Sequence, residues 1–425
     1  MRIGLLVLAG EGHLNPSVAL GRELQSCGHQ VIFFSMVDTV AVGQAAGLKV
    51  VECAAQELPL GTVNRLMTSM AGGTPPWKMS AMMKEVEWIN TANLLAVDAW
   101  MNQHSGQLDC LLIDALTPHF YLLGEKHYIP YIILEPSIPA FLYSPDIPPT
   151  MLGFDYSNSW FGKIRDRITN ALFAKVIGPF FSTVQNYYAQ AWNLPQSQGL
   201  GDSRQALARL SQVPSAFDFP RQDKDKYVYT GPWVNASARV RVDFPWTRLN
   251  GKPLIYAALG TVYNDQTTAY QMIAQTCQEL ECQLVLAVGP HMTDETLKAL
   301  QQQHPQFLFV RKAPQVELLQ RTKLFITHAG MNSTLEALQA GVPMVAIPPG
   351  NDQPGVAARI RYHQLGITLP SKQLSVERLH RALTAVWNRE IYTDNVQKFA
   401  HEIASKPGLT LAVTAIEKLI TNHQR

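Results

Sequence analysis

Two doubly wound α/β domains, each built on a parallel sheet, are what the sequence predicts. Three observations lead there. Short continuous apolar runs, such as Ile3 to Leu8 and Leu254 to Leu259, have strand length and no polar alternation, the mark of strands covered on both faces. Segments of helical periodicity separate such runs, and the alternation is set out twice along the chain. With 425 residues the chain also exceeds what one hydrophobic core serves, so two domains of about 200 residues each are expected.

In the first series, Ile3 to Leu8 leads into a turn from Ala9 to Asn15, and Pro16 is expected to open a helix that reaches about Cys27 and ends at Gly28. Gln30 to Ser35 makes the next strand. Asp38 to Ala46 makes a helix stopped by Gly47, and Leu48 to Cys53 a third strand. From Leu58 to Lys84 the chain is rich in Met, Gly and Pro, and a helical segment then runs on to Gln103. Strands return at Leu108 to Ile113, which leads into Asp114, and at Ile129 to Leu134, which ends in Glu135-Pro136-Ser137. Ser137 to Tyr188 reads as an aromatic and Pro-rich region.

The second series begins with the strand Leu254 to Leu259. A helix around Thr267 to Leu280, a strand Gln283 to Val288, a helix around Asp294 to Gln303 and a strand Gln306 to Val310 come next. The apolar run Leu324 to Thr327, a helix from Ser333 to Ala340 closed by Gly341, and a strand from Pro343 to Ile347 form a βαβ unit. Pro349 to Gln353 is a turn, with Pro354 at the start of the next helix. Helices near Val376 to Trp387 and Asn395 to Ala404 complete this series, and Pro407-Gly408 sets off a last helix, Leu409 to Thr421. The expected domains are therefore residues 1–233, a linker 234–252, residues 253–406, and a C-terminal helix within 407–425 that packs back on the first domain.

Composition narrows the function. Lys and Arg total 35 against 33 for Asp and Glu, with no long run of either sign, so no nucleic-acid surface is indicated and a neutral or locally bound anionic ligand fits better. The cysteines Cys27, Cys53, Cys110, Cys277 and Cys282 form no C-x-x-C pair and read as reduced core residues of a cytoplasmic protein. No apolar run reaches the roughly 18 residues of a spanning helix.

The stretch Arg311 to Ile360 holds the densest chemistry. His328 stands just past a strand, and Asn332-Ser333-Thr334 stands at a helix start, where a ring N–H, a hydroxyl and main-chain amides can meet a diphosphate. Glu336 can accept hydrogen bonds from ribose hydroxyls. Ser333-x-x-Glu336 equally fits an S/T-x-x-E capping box, which needs no ligand.

The same 50 residues carry A-P-Q (Ala313 to Gln315), T-H-x-G-x-N-S-T-L-E (Thr327 to Glu336), G-V-P-M-V (Gly341 to Val345) and D-Q (Asp352-Gln353). In these motifs the chain resembles UDP-dependent glycosyltransferases of the GT-B fold, a family that serves plant metabolites, macrolides and carotenoids. The runs from Pro245 to Thr261 and Asn351 to Ile360 look most like its zeaxanthin glucosyltransferase branch. The resemblance implies two Rossmann-like domains facing across a cleft, with UDP-sugar, UDP-glucose in particular, as co-substrate and no separate cofactor. By similarity, Ala313 meets the uracil edge and Gln315 the ribose side, while His328, Gly330, Asn332 and Ser333 surround the phosphates; the turn Gly260-Thr261 resembles a further phosphate contact and equally fits an ordinary turn. Glu336 binds ribose hydroxyls, and Asp352 and Gln353 bind sugar hydroxyls. Lys312 departs from the family, which often has a stacking Trp there.

A base is expected from the first domain. Gly12-His13-Leu14-Asn15-Pro16 puts an imidazole just after the first strand, and Asp114 ends a parallel neighbour, so both emerge along one edge. In the family the matching positions form a catalytic dyad. Read alone, His13 equally suits a turn and Asp114 a helix cap. The implied reaction is metal-independent and inverting: Asp114 holds His13, and His13 takes the acceptor proton. Asp223-Lys224-Asp225 spells D-x-D, the metal signature of a different glycosyltransferase fold, but reads as a solvated turn in a charged loop.

The acceptor is expected to be a lipophilic hydroxylated small molecule. The Met-rich and aromatic stretches lie where the family builds its acceptor site, and Met67, Met70, Met79, Met82, Met83, Phe141, Tyr143 and Trp160 are the candidate contacts. Core packing is the alternative fate of these side chains. A carotenoid acceptor implies peripheral membrane contact. Natural-product tailoring, UDP-sugar epimerisation and non-catalytic binding of a UDP-sugar or lipid are the competing functions.

Overall fold

The structure, a computed structural model, describes residues 1–424 except 72–75, 140–143, 145, 198, 200, 201, 203, 237, 238, 240, 261–266 and 291, and it gives no side-chain description for 67–71, 76–79 and 180. The chain forms two compact units. One comprises Met1–Pro149, Ser157–Val240 and Lys406–Arg425, and the other Thr150–Tyr156 and Arg241–Ser405.

In the first unit the strands β1 (Arg2–Leu6), β2 (Gln30–Ser35), β3 (Lys49–Glu52), β4 (Cys110–Asp114), β5 (Tyr131–Glu135), β6 (Arg209–Ser211) and β7 (Tyr227–Tyr229) form a parallel sheet in the order β3-β2-β1-β4-β5-β6-β7. The helices between them are α1 (Glu11–Ser26), α2 (Val40–Ala45), α3 (Thr62–Ala71), α4 (Pro76–Gln103), α5 (Tyr121–Lys126) and α6 (Trp160–Ala191). Every residue of β4 and β5 is buried, so both faces are covered, as their unbroken apolar runs require. The period-two pleat divides them: Leu112, Ile132 and Leu134 enter one core layer, and Leu111, Ile113 and Ile133 the other.

Two local expectations are corrected. Pro16 does not open α1; the helix starts at Glu11 with Gly10 as its N-cap and carries Pro16 inside. Pro16 removes only the N–H that would reach back to Gly12, and burial of Leu14, Val18 and Leu24 along the same helix offsets that loss. His13 consequently stands in a helical first turn. The aromatic and Pro-rich region resolves largely into α6, a 32-residue helix with Pro179 inside it. Gly162, Gly178 and Pro179 hide its periodicity.

In the second unit β8 (Leu254–Ala258), β9 (Gln283–Ala287), β10 (Leu308–Val310), β11 (Thr322–Thr327), β12 (Met344–Ala346) and β13 (Gly366–Thr368) pair in parallel in the order β10-β9-β8-β11-β12-β13. Renumbered within the unit, this is the 3-2-1-4-5-6 order of a dinucleotide-type sheet. Its helices are α7 (Thr267–Gln278), α8 (Asp294–Gln303), α9 (Gln315–Leu319), α10 (Met331–Ala340), α11 (Gln353–Tyr362), α12 (Val376–Asn388) and α13 (Glu390–Ser405). The last helix, α14 (Gly408–Gln424), packs Ala412, Val413, Ile416 and Ile420 into the core of the first unit beside Leu14, Val18 and Trp233. Gly408 has to be glycine, because a Cβ there would lie 2.4 Å from the carbonyl oxygen of Pro232.

The stretch 234–252 is no free linker along its whole length. From Arg241 it belongs to the second unit: Phe244 is buried, and Gln283 bridges the Arg248 carbonyl (2.8 Å) and the Asn250 amide (3.0 Å). Residues 150–156, expected within 1–233, also pack with the second unit. Arg361 of α11 binds the Gly153 carbonyl (3.0 Å) and Asp155 (2.6 Å). Four of the five cysteines are buried as expected, but Cys27 is exposed at the C-cap of α1.

His119 lies past β4 in a buried turn, where burial pushes its pKa down from 6.5 to about 3. The unfolded chain therefore binds the extra proton between these values, so the contribution of His119 to stability is full above about pH 6.5 and falls as the pH drops towards 3. Replacing His119 with Phe is expected to remove up to about 1.4 kcal/mol per pH unit of that slope. Chemical denaturation at a series of acid pH values measures it, and an unchanged slope would show that His119 is not the group responsible.

Candidate functional site

In a parallel sheet, ligand groups collect where the strand order reverses, at the carboxyl ends of the two strands on either side. The reversal falls between β1 and β4 in the first unit and between β8 and β11 in the second. The sequence-derived candidates stand at both.

In the first unit β1 and β4 pair through Leu6 and Ile113, which places Asp114 at the end of β4 beside the turn that opens α1. Nδ1 of His13 donates to Oδ2 of Asp114 at 2.7 Å, and the Leu116 amide donates to Oδ1 at 2.8 Å. The Asp114 side chain is wholly buried, whereas His13 keeps 15 % of its side chain exposed. A carboxylate that takes the Nδ1 proton fixes the tautomer and leaves the Nε2 lone pair to receive another proton. Asp114 does not cap a helix in the manner of its alternative reading; its oxygens serve a turn amide and an imidazole. Glu135, at the end of β5, is buried and paired with Arg209 of β6. Burial pushes its pKa up, while Arg209 pulls it down. The sequence marked Glu135 only as a strand end, since nothing local links it to Arg209.

In the second unit, α10 begins at Met331 with Gly330 as its N-cap, and no side chain caps it. Ser333 thus lies inside the first turn, and the capping-box alternative for Ser333 and Glu336 is not realised. Gln315, the first residue of α9, joins them instead. Its Nε2 donates to Oγ of Ser333 at 3.1 Å and to Oε2 of Glu336 at 2.8 Å. The Tyr256 hydroxyl of β8 donates to Oε1 of Gln315 at 3.1 Å. Tyr256 had no sequence signal, being one more apolar-looking position of a buried strand. Its ring stacks on Phe325 with centroids 5.0 Å apart.

His328 stands just past β11, and its ring lies between two glycines. A Cβ on Gly330 would stand 2.4 Å from its Nε2, and one on Gly260 3.1 Å from the same atom. Gly260 also has φ +87, which favours glycine. Ala329 between His328 and Gly330 is left-handed at φ 62 and turns the chain from strand to helix. Nδ1 of His328 is buried and finds no hydrogen-bond partner among the described residues. Burial pushes the His328 pKa down, against the smaller upward pull of the Ala258 carbonyl and Asp352. The imidazole is thus neutral near pH 7 and can offer one N–H.

Asn332 is half-buried in the first turn of α10, and Ala313 is half-buried just before α9. Lys312 is exposed. Asp352 caps α11 by position, and Gln353 is buried with its Oε1 taking the Gly350 amide at 3.0 Å. That bond turns one end of Gln353 inward. Thr261, Phe141 and Tyr143 lie outside the described residues, as do the side chains of Met67, Met70 and Met79. Met82 and Met83 are half-buried on α4, Met82 against Met36, Leu58 and Ile89, which is core packing. Trp160 opens α6 and is 68 % exposed.

Asp223-Lys224-Asp225 forms a turn, as expected, with Asp225 exposed and Asp223 half-buried. Arg221 holds Asp223 through Nε (2.5 Å) and Nη2 (2.7 Å). Among the described residues no group of three or more His, Cys, Asp or Glu is arranged to hold a metal, and no helix is long and apolar enough to cross a membrane.

A family model described as UDP-glucoronosyl and UDP-glucosyl transferase matches residues 22–423. The chain is 25 % identical over 415 residues to a zeaxanthin glucosyltransferase of Pantoea ananas, covering 97 % of this chain and 94 % of that protein. It is also 25 % identical over 437 residues to the 4'-demethylrebeccamycin synthase of Lentzea aerocolonigenes, covering 99 % of each. Among solved structures, the kitacinnamycin glycosyltransferase superposes with a TM-score of 0.75 at 21 % identity, over 99 % of both chains. The glycosyltransferase VinC in complex with dTDP gives 0.71 at 17 % identity, over 99 % of this chain and 100 % of that one. These distant structures speak for the fold, the GT-B class.

Gly330→Ala drives a methyl against the His328 ring. It is expected to weaken UDP binding by about tenfold or more, roughly 1.4 kcal/mol, with the far-ultraviolet circular dichroism unchanged. Calorimetric titration with UDP reads the change, and an unaltered affinity would remove His328 from the nucleotide site.

Proposed function

The chain belongs to the UDP-glucoronosyl and UDP-glucosyl transferase family, and from that premise we propose that it is an inverting glucosyltransferase acting on a hydroxyl of a lipophilic acceptor, with UDP-glucose as donor. The observation that carries this reading is the 2.7 Å bond between His13 and a wholly buried Asp114, which leaves Nε2 of His13 as a base. A hydroxyl is a poor nucleophile until its proton is removed as the new bond forms.

As the acceptor oxygen attacks the anomeric carbon, its proton passes to Nε2 of His13, and the bond from that carbon to the diphosphate oxygen breaks with its electron pair staying on UDP. Asp114 stabilises the imidazolium that results. His328, Ser333 and the amides that open α10 meet the departing charge, which makes a metal unnecessary for this step. One displacement inverts the centre, giving a β-glucoside from an α-linked donor. Glu336 and Gln315 hold the ribose, and Asp352 and Gln353 the glucose hydroxyls, with Gln353 reaching through the amide end that Gly350 does not occupy.

The relative named as a zeaxanthin glucosyltransferase supports a carotenoid-like acceptor, and such an acceptor calls for peripheral contact with a membrane. The relative named as 4'-demethylrebeccamycin synthase supports a second reading, glycosylation of a natural product. Mass spectrometry of products from a panel of donors and acceptors separates the two; sugar on flavonoids or macrolides but never on xanthophylls would exclude the first.

His13→Ala is expected to lower turnover about 10²- to 10⁴-fold while UDP affinity stays within about twofold. Full turnover in that variant would end the assignment of His13 as base. Glu336→Ala is expected to weaken UDP binding by about 1–3 kcal/mol, through loss of the ribose contact and of the Gln315 bond. If UDP binds the variant as before, Glu336 is only an internal partner of Gln315.

A further inference from the structure

We propose that the outward face of α6 is a membrane-docking surface that lays the enzyme on an anionic lipid leaflet. The inference rests on the lipophilic-acceptor reading for its purpose, but its observations concern α6 alone.

A surface helix in water ordinarily turns apolar residues inward and polar ones outward. Over the first half of α6 the pattern is reversed. Asp166 and Asn170 are buried on the inner side, where Asn170 donates to the Ile147 carbonyl at 2.9 Å. Phe161, Ile168, Leu172 and Val176 succeed one another at steps of seven, four and four residues and so share the outer side. They are 77, 56, 59 and 72 % exposed. From Phe161 to Val176 the stripe runs for about 22 Å at 1.5 Å per residue. Exposed apolar residues in a continuous row, unlike single ones, mark a surface meant to be covered.

Charge decides what covers it. Within α6 the Lys, Arg, Asp and Glu residues are Lys163, Arg165, Arg167, Lys175 and one acid, Asp166. Asp166 is buried and bound by Arg165 at 2.8 Å, so the exterior of the helix carries exposed cations without a balancing exposed anion of its own. Lys163, Arg167 and Lys175 are exposed. Apolar residues that enter the acyl boundary, on a helix whose remaining sides carry Lys and Arg, are the makings of a helix that lies in the interface rather than spanning it. A docked enzyme would meet a lipid-dissolved acceptor without having to extract it through water.

Sedimentation with phosphatidylcholine vesicles, with and without phosphatidylglycerol, tests the proposal. The full chain is expected to bind the phosphatidylglycerol vesicles in a salt-sensitive way. A triple variant, Ile168→Gln, Leu172→Gln and Val176→Gln, and a second one, Lys163→Gln, Arg167→Gln and Lys175→Gln, are each expected to bind at least about tenfold less. Both should still glucosylate a water-soluble phenol at the parent rate. Wild-type protein that stays in the supernatant, or an apolar triple variant that sediments like the parent, overturns the proposal. So does loss of soluble-acceptor turnover with vesicle binding, which would make the stripe part of the acceptor site. A parent dimer that the apolar variant turns into a monomer would overturn it too, assigning the stripe to a second copy of the chain. Vesicle binding without transfer to any lipophilic acceptor would support the surface and remove the acceptor reading instead.

Discussion

Everything chemical in this protein depends on one topological constraint. Each parallel sheet reverses its strand order once, between β1 and β4 and again between β8 and β11, and only there do two neighbouring strands send their next segments to opposite faces. The crevice left between them admits polar groups to the edge of an apolar layer. His13 and Asp114 occupy one reversal, Gly260 and His328 the other. Near the reversals the strands are spent on burial: β4, β5 and β8 are covered along their whole length.

At each reversal the buried polar atoms are held by partners that the chain brings from afar. Asp114 is buried, and its carboxylate is satisfied by an imidazole 101 residues away and by a local amide. Gln315 does the same service in the second unit, where one side-chain amide receives the Tyr256 hydroxyl and gives its own hydrogens to Ser333 and Glu336. Such networks keep side chains in one rotamer, which is what a site for a charged ligand needs. His328 is the exception, with a buried Nδ1 that has no partner among the described residues. Its ring is placed by sterics, between Gly260 and Gly330, rather than by a hydrogen bond at that atom.

Chain crossings complete both units. Residues 150–156 leave the first unit and bind α11, where Gly355 lets the carbonyl of Thr150 come within 2.7 Å of where a Cβ would stand. α14 returns from the second unit and fills a core layer beside α1. Through these crossings the helix that starts at Asp352 and Gln353 is braced by residues from the other half of the sequence. Neither unit is therefore one uninterrupted length of chain.

The sequence by itself determined the features that short-range chemistry dictates. Apolar runs marked most strands, because burial on both faces leaves no room for polar alternation, and Gly341 at φ 68 ended α10 because glycine accepts that conformation freely. The motif from Thr327 to Glu336 and the pair His13 and Asp114 were legible as residue types at strand ends. Tertiary structure decided the rest. It moved the start of α1 ahead of Pro16 because packing of a whole helix outweighs one missing hydrogen bond. It also drew Ser333 into the first turn, where it serves Gln315 rather than a cap, and recruited Tyr256, whose hydroxyl no periodicity reveals. It turned an aromatic and Pro-rich stretch into α6 and set its apolar residues outward, a choice that depends on what packs against the helix and so lies outside any local pattern.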